Sequence, residues 1–534
     1  MIKEISAKID YFKSILYGEF IPYKKIFKDL SQLKTNRKQN LKKSNILLAC
    51  SVGMNADFFL QTILGKFLVY NNQNVDAILC DGSLKACFNC KFKHFSTPKL
   101  QQELFQNGPG QICKTCTKIG KKYLNSSEIN FFLYSHFIDE TDLKEISNLI
   151  SELGNSNNLI NYKYDDINIG EHAYSAAIRF YSSSEITREK SYKEILLSFI
   201  YSGIITYKVF SKIIKKNNYS KIIVDHGIYT PQGIIVATAK KYSVEVFTYA
   251  TGYRNHTFLF AKKDSYHYSI PELNSNHIPK YKSEELSEIK TYLESRSNGK
   301  NDWVLFHENN NVINLNFINR EKINITLFTN VLWDANIHFK NSIFKNCEEW
   351  LLETINFLSK INKVNLHIRI HPGENKGFIK SRQSCEELLK NQLDEKVIKK
   401  INIISSDTNL NSYELAKKSD FSIVYASKIG IELAALGFPV IITGDCWIRN
   451  KGITFDPLSK EEYFQKLNYF VNNKVRPLPD KLKALEFARF IFFDCMKELK
   501  FIEKTSGNPP FKINLKKLKQ EDKNINNLIN FIVN

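Results

Sequence analysis

His371 and Pro372 close the apolar run Leu366-His-Ile-Arg-Ile, and Ser427 and Lys428 follow a second run, Asp420-Phe-Ser-Ile-Val-Tyr425. A proline stops a strand and restricts the residue before it, so the first pattern holds an imidazole at a strand end. The turn Ala426-Ser427-Lys428 leads into a helical pattern and brings a hydroxyl, backbone N–H groups and the positive end of a helix dipole together. Those are the groups that bind phosphate. Glu432 stands one helical turn inside, where a carboxylate can accept hydrogen bonds from ribose hydroxyls. In the first half, Asp225-His226-Gly227 ends a strand-like run. Glu171-His172 opens a helical stretch through Arg179, where Glu171 has an alternative reading as a charge complementing the helix dipole. Arg254 and His267 follow, with ion pairing or capping as their alternative roles.

Cys87-x2-Cys90 and Cys113-x2-Cys116 are separated by 22 residues. Two hairpin-like pairs at that distance suit four thiolates around one zinc ion, and a structural zinc is the expectation. An iron–sulfur cluster also takes four thiolates, and reduced unliganded thiols are a third reading. Cys80, at a strand end, is a fifth cysteine or an alternative ligand.

The elements that position these groups alternate strand and helix. Asn45–Cys50, an amphipathic segment to about Tyr70 and Val75–Cys80 form one unit, and Lys221–Val224, a helix to about Lys241 and Glu245–Tyr249 form another. Strands at Ile323–Phe328, Val364–Ile370, Ile401–Ile404, Phe421–Tyr425 and Val440–Ile442 repeat the pattern. Such βαβ units imply doubly wound parallel sheets. The fold class is α/β with two Rossmann-like domains facing a cleft, and ligands belong at the strands' carboxyl ends. The expected boundaries are an N-terminal helical extension at 1–40, a first domain at 41–275 with a four-cysteine insertion at 80–120, and a connection at 276–322. A second domain at 323–478 and a helix with a basic tail at 479–534 complete the chain.

A chain of 534 residues exceeds what one core usually supports. Its 43% hydrophobic and 24% charged composition is that of a folded protein. No apolar run reaches the roughly 20 residues of a bilayer span and no signal-like segment opens the sequence, so a cytoplasmic location is expected. The net charge of +20 attracts polyanions, anionic lipid or phosphorylated substrates without choosing among them, and Lys-rich composition throughout explains it equally well. Basic and aromatic residues do not concentrate around the cysteines, so nucleic acid is not an expected partner.

The His371-Pro372 turn, the Ser427-x-x-Gly430-x-Glu432-Ala helix start, Gly437-x-Pro-Val-Ile and Gly444 through Arg449-Asn-Lys-Gly452-x-Thr resemble capsule polysaccharide biosynthesis proteins of the GT-B class. Kdo and sialic acid transferases are related to them. Stretches around Gly170-Glu171-His172, Asp225-His226-Gly227 and Gly252-Tyr253-Arg254 are similar to those preceding the donor domain in such proteins, and the resemblance spans roughly residues 45–460. It implies transfer of a sugar from a nucleotide-activated donor to a surface glycan, capsular or of lipopolysaccharide type. Arg369, His371, Pro372, Ser427, Lys428, Gly430 and Glu432 would hold the donor. Asp225, Glu171 and His226 would be catalytic, with Asp225 or Glu171 as base or, in a retaining reaction, nucleophile. His172, Arg179, Arg254 and His267 would line the acceptor side of the cleft. No DxD-like pair stands beside the donor motifs, and Asp165-Asp166 lies far upstream, so no catalytic metal is expected. The acceptor is a glycan or lipid-linked glycan, with peripheral contact at the inner membrane. A nucleotide-sugar 2-epimerase of the same architecture and a zinc-ribbon nucleic-acid-binding protein are the competing readings.

Overall fold

A computed structural model of the protein describes residues 45–87, 98–270, 272–273, 278–297, 301–303, 316–338, 341–376, 380–504, 511–514, 517 and 522–534. The expected N-terminal extension and Cys90 lie outside these residues. Strand β1, Asn45–Cys50, exposes its first residue and buries the other five, as a strand covered on both faces requires. Asn55 then accepts from the Phe58 N–H and caps helix α1, Ala56–Tyr70. β2 (Asn74–Leu79) pairs parallel with β1. β3 (Asn130–Leu133), β4 (Lys221–Asp225), β5 (Glu245–Thr251) and antiparallel β6 (Thr257–Lys262) complete the order β3-β2-β1-β4-β5-β6. This is a doubly wound order in which the winding reverses between β1 and β4.

Helices α2 (Ile169–Tyr181), α3 (Tyr192–Lys216) and α4 (Gln232–Lys241) pack on one another, and α4 packs on β4 and β5. Helix α3 is long and apolar enough to cross a membrane, but the apolar window that makes it so is 89% buried inside the protein. Apolar character here serves the core.

Helix α5, Ser283–Ser297, occupies the stretch expected as a connection, with Ile289, Tyr292 and Leu293 buried in the second domain's core. The spacing of Leu286, Ile289 and Leu293 is helical, although the polar residues between them obscure it. The second sheet has strands β7 (Ile323–Phe328), β8 (Val364–Arg369), β9 (Ile401–Ile404), β10 (Phe421–Val424) and β11 (Val440–Ile442) in the all-parallel order β11-β10-β7-β8-β9. Here the reversal falls between β7 and β10. Helix α6 (Cys347–Leu358) packs into this core, and helix α7 (Ile429–Leu436) follows β10 and ends at Gly437, whose φ of 94° suits a residue without Cβ. Two Rossmann-like α/β domains result.

Helices α8 (Lys460–Asn472) and α9 (Lys481–Arg489) belong to the second domain. The helix expected at the start of 479–534 stops after α9 and a wider turn at Phe490–Cys495. Its continuation, β12 (Met496–Glu498), pairs antiparallel with β6 and extends the first sheet. The open edge of β6 offers backbone partners that a continued helix could not use. Helix α10, Asp522–Val533, lies in the stretch expected as a basic tail, yet Ile525, Leu528, Ile529 and Ile532 are buried in the first domain's core. Lys221 Nζ donates to the Val533 carbonyl at 2.8 Å. Leu528→Ala is therefore expected to cost about 2–5 kcal/mol in denaturant unfolding, the usual range for a buried leucine. A cost near zero would return α10 to the status of a tail.

Candidate functional site

Each sheet's reversal leaves a gap at the carboxyl ends of its strands, and the chemistry-bearing residues collect there. In the first domain Asp225 ends β4 and is 3% exposed. Gln232, at the start of α4, donates from Nε2 to Asp225 Oδ2 at 3.0 Å and to Ser51 Oγ, just after β1, at 3.2 Å. Asp57, in the first turn of α1, is less buried than Asp225, and its backbone carbonyl accepts from Tyr249 Oη. Burial and then the charge of Asp57 push the Asp225 carboxyl well above the ordinary range. Burial also raises Asp57, with the Arg179 guanidinium opposing. Carboxyls that feel one another's charge do not ionise together readily. Asp57 was not singled out in the sequence. Its signal was its place in the first turn after β1, a helix start at the reversal.

His226 takes a left-handed backbone, φ 57°, immediately before Gly227 at φ 85°. Its N–H donates to the Tyr249 carbonyl and its own carbonyl accepts from Ser265 Oγ. The buried Nδ1 has no hydrogen-bond partner among the described residues, and burial depresses the imidazole to about 3, so the ring is neutral. Strained backbone of this kind persists where its surroundings hold it. His267 stacks on Tyr266 with centroids 4.1 Å apart and is also neutral through burial, at about 4.

The loop after β7 reaches across to the first domain. Asp334 meets Arg179 at 3.4 Å and accepts from Tyr229 Oη at 3.2 Å, while the Arg179 guanidinium lies over the rings of Tyr229 and Trp333. His338 of the same loop is buried between Ser175 Oγ, 2.8 Å from Nε2, and Tyr268 Oη, 2.5 Å from Nδ1. Glu171 lies 4.0 Å from that ring. His172 makes a 2.7 Å contact from Nδ1 to the Ile228 carbonyl and packs on Gly233, where a Cβ would come within 2.3 Å of the ring. Glu171, His172 and Arg179 thus lie beside the loop that the second domain sends across. Asp334 and His338 were missed because polar residues in a loop carry no periodicity.

In the second domain the order β10-β7-β8 puts His371 and Ser427 on one sheet edge with β7 between them. The His371 N–H donates to Thr329 Oγ1 and its Nδ1 accepts from the Gly373 N–H, both at 2.9 Å. That bond makes Nδ1 the acceptor and Nε2–H the donor of a neutral ring, which burial and then Lys428 hold at about 4. Pro372 is buried in the turn. Ala426 N–H donates to Asn330 Oδ1, which ties the β10 turn to the β7 loop. Ser427, Lys428 and Gly430 form the entry to α7, where a side chain at Gly430 would meet only ordinary contacts.

Two expected donor contacts are occupied otherwise. Arg369 is 2% exposed and donates to the carbonyls of Ser405, Thr408 and Leu410, so it braces the 405–412 loop from within instead of facing phosphate. Glu432 is 1% exposed, pairs with Arg296 Nε at 2.8 Å and accepts from Tyr413 Oη at 2.6 Å. Lys428 lies 3.6 Å from Glu432 and 3.5 Å from Asp302, beneath the Tyr253 ring. A buried carboxylate needs such partners, and α5, unrecognised in the sequence, supplies Arg296. Arg254 likewise leaves the cleft: its Nε donates to the Phe492 carbonyl and its guanidinium stacks on Phe493, fixing the returning C-terminal segment.

The zinc expectation is not supported. Cys113 and Cys116 lie on the first two turns of the helix Gln111–Ser126 instead of in a hairpin, and Cys80, Cys87, Cys113 and Cys116 border one small cavity. Among the described residues no group of three or more His, Cys, Asp or Glu side chains is disposed to hold a metal ion. Burial and then the neighbouring cysteines raise the Cys80 and Cys113 thiols.

Residues 232–468 match the family described as capsule polysaccharide biosynthesis protein. Comparison with curated proteins found no match. Among solved structures, a beta Kdo 2,4 transferase KpsC of Thermosulfurimonas dismutans aligns at 12% identity over 60% of this chain and 88% of that one, with a TM-score of 0.36. The beta Kdo 2,7 transferase KpsC of the same organism aligns at 14% identity over 60% and 89%, with a TM-score of 0.31. UDP-GlcNAc 2-epimerase from Neisseria meningitidis, bound to UDP-GlcNAc, aligns at 12% over 84% and 98%, with a TM-score of 0.26.

The raised Asp225 carboxyl has a consequence for stability. The folded protein keeps a proton that the unfolded chain releases once pH passes the ordinary carboxylate value. Stability from this group is present below that value and is lost as pH rises through the raised folded value. Asp225→Asn stays neutral and keeps its shape, so it should melt above the parent at about pH 8, with the gap closing toward about pH 4. Calorimetry that finds no such pH-dependent gap would mean Asp225 is ionised in the folded protein.

Proposed function

We propose that this member of the capsule polysaccharide biosynthesis family transfers a sugar from a nucleotide-activated donor to a glycan acceptor. The observation that carries the reading is the pairing of two reversal points across one interface: Asp225 at the end of β4 with Asp57 at the start of α1 on the first domain, and a His-Pro turn with a helix start on the second. Glycosyl transfer needs a proton acceptor for the incoming hydroxyl and donors for the departing phosphate.

In this reading Asp57 takes the acceptor proton, and Asp225, held by Gln232 and pushed up by burial and the Asp57 charge, stays protonated behind it. Glu171, beside His338, lines the acceptor side. His371 Nε2–H, Ser427, the Lys428 ammonium and the first N–H groups of α7 receive the donor phosphates, which supports leaving-group stabilisation without a divalent cation. The acceptor belongs to a capsular or lipopolysaccharide-type glycan assembled at the cytoplasmic side of the inner membrane.

His371→Ala should weaken nucleotide-sugar binding by about 1.5–3 kcal/mol in calorimetry, the cost of a hydrogen bond to a charged group. Asp57→Asn should leave that affinity intact and lower turnover by about 10²–10⁴-fold, the usual contribution of a positioned base. Unchanged binding in the first variant and unchanged turnover in the second would refute the assigned roles, and an epimerised sugar formed without acceptor would move the protein to the 2-epimerase class. Turnover should also survive exhaustive chelation; a loss restored by added magnesium or manganese would show that a metal meets the leaving phosphate.

A further inference from the structure

We infer that the second domain carries a docking surface for an anionic lipid bilayer, formed by the 473–480 loop with the end of α8 and the start of α9. Most large apolar side chains of the described residues are buried, but within this one segment Tyr469 is 52%, Val475 85%, Leu478 71% and Leu482 54% exposed. Among the described residues the other exposed ones are Leu458 at 73%, Leu143 at 39% and Ile160 at 36%, each isolated in sequence. Clustered exposure of this kind marks a contact surface.

The charges around the cluster identify the occupant. Lys474 and Lys481 are exposed and Lys483 is half-buried, while the nearby Asp480 is committed to capping α9 by accepting from the Lys483 N–H. Arg476 pairs with Asp420 and anchors the loop. Apolar tips among lysines match the boundary between acyl chains and anionic headgroups, and a tyrosine suits the same depth. Two copies of the chain facing each other here would set lysine against lysine, which disfavours a symmetric dimer through this face.

The loop is prepared for such a role. Pro477 and Pro479 flank Leu478, fixing φ and removing two N–H groups that a headgroup region would otherwise have to satisfy. The placement also keeps docking apart from the cleft. Arg476 holds the loop at Asp420, just before β10, and Lys481 lies against Gly437, before β11. Both mark the amino ends of the strands, opposite the edge that bears His371 and Ser427.

The test is sedimentation of the full chain with vesicles of pure phosphatidylcholine or of phosphatidylcholine mixed with phosphatidylglycerol. Binding is expected to the anionic vesicles, weakened at about 0.5 M salt. Val475→Asp combined with Leu478→Asp should lower partitioning at least about tenfold, since inserted apolar area drives it. Leu143→Asp should have no effect, and melting temperature should stay at the parent value in both variants. Equal binding to both kinds of vesicle, undiminished binding of the double variant, or no binding at all would overturn the proposal. A concentration-dependent dimer that the double variant abolishes would instead make this face an interface between copies of the chain.

Discussion

The reversal of winding beside the first strand of each sheet is the constraint from which the site follows. Where neighbouring connections leave a strand edge in opposite directions, no crossover covers the gap between them. Between β1 and β4 that gap is lined by Ser51, Asp225 and the start of α1, and between β7 and β10 by Thr329, Asn330 and the start of α7. Polar groups persist in these gaps because backbone and side-chain partners are within reach there. The same groups in the middle of either sheet would be buried without partners.

Buried charge is divided between structural and accessible uses. Arg369 holds three loop carbonyls and Glu432 is matched by Arg296 and Tyr413, so both are committed within the fold. Lys428 lies at the edge of the same network and retains partial exposure, 21% of its side chain. A ligand phosphate placed at the α7 entry would meet that ammonium and the helix N–H groups together. Neutral His371 adds a donor without adding charge to an already cationic corner.

The two domains are joined by more than one passage of chain. Helix α5 leaves the first domain and packs into the second core, and β12 returns to complete the first sheet at β6. Arg254 and Trp303 fasten these passages, through the Phe492 and Thr257 carbonyls respectively. His338 and Asp334 then bring the β7 loop onto α2 and the loop before α4. Interfaces within a chain are commonly polar; this one combines hydrogen bonds, the ion pairs Arg179–Asp334 and Arg382–Glu189, and Trp333 and Ala335 packed into the first domain's core.

The sequence by itself determined the parallel α/β class, nearly every strand of both sheets, the His371-Pro372 turn and the Ser427 helix start. Each rests on local signals: a short apolar run, a proline or glycine stop, a cap. It also placed Asp225 and His371 at strand ends, because an end is visible where the run stops. The tertiary structure alone decided which ends meet, since strand order depends on pairing between distant segments. It decided that Arg369 and Arg254 face inward, that Glu432 is matched by a helix hidden among polar residues, and that Asp57, Asp334 and His338 belong to the site. It also set Cys113 and Cys116 on a helix and turned a Lys- and Asn-rich terminus into a buried one. In each case partner and burial are properties of long-range packing, which local periodicity does not encode.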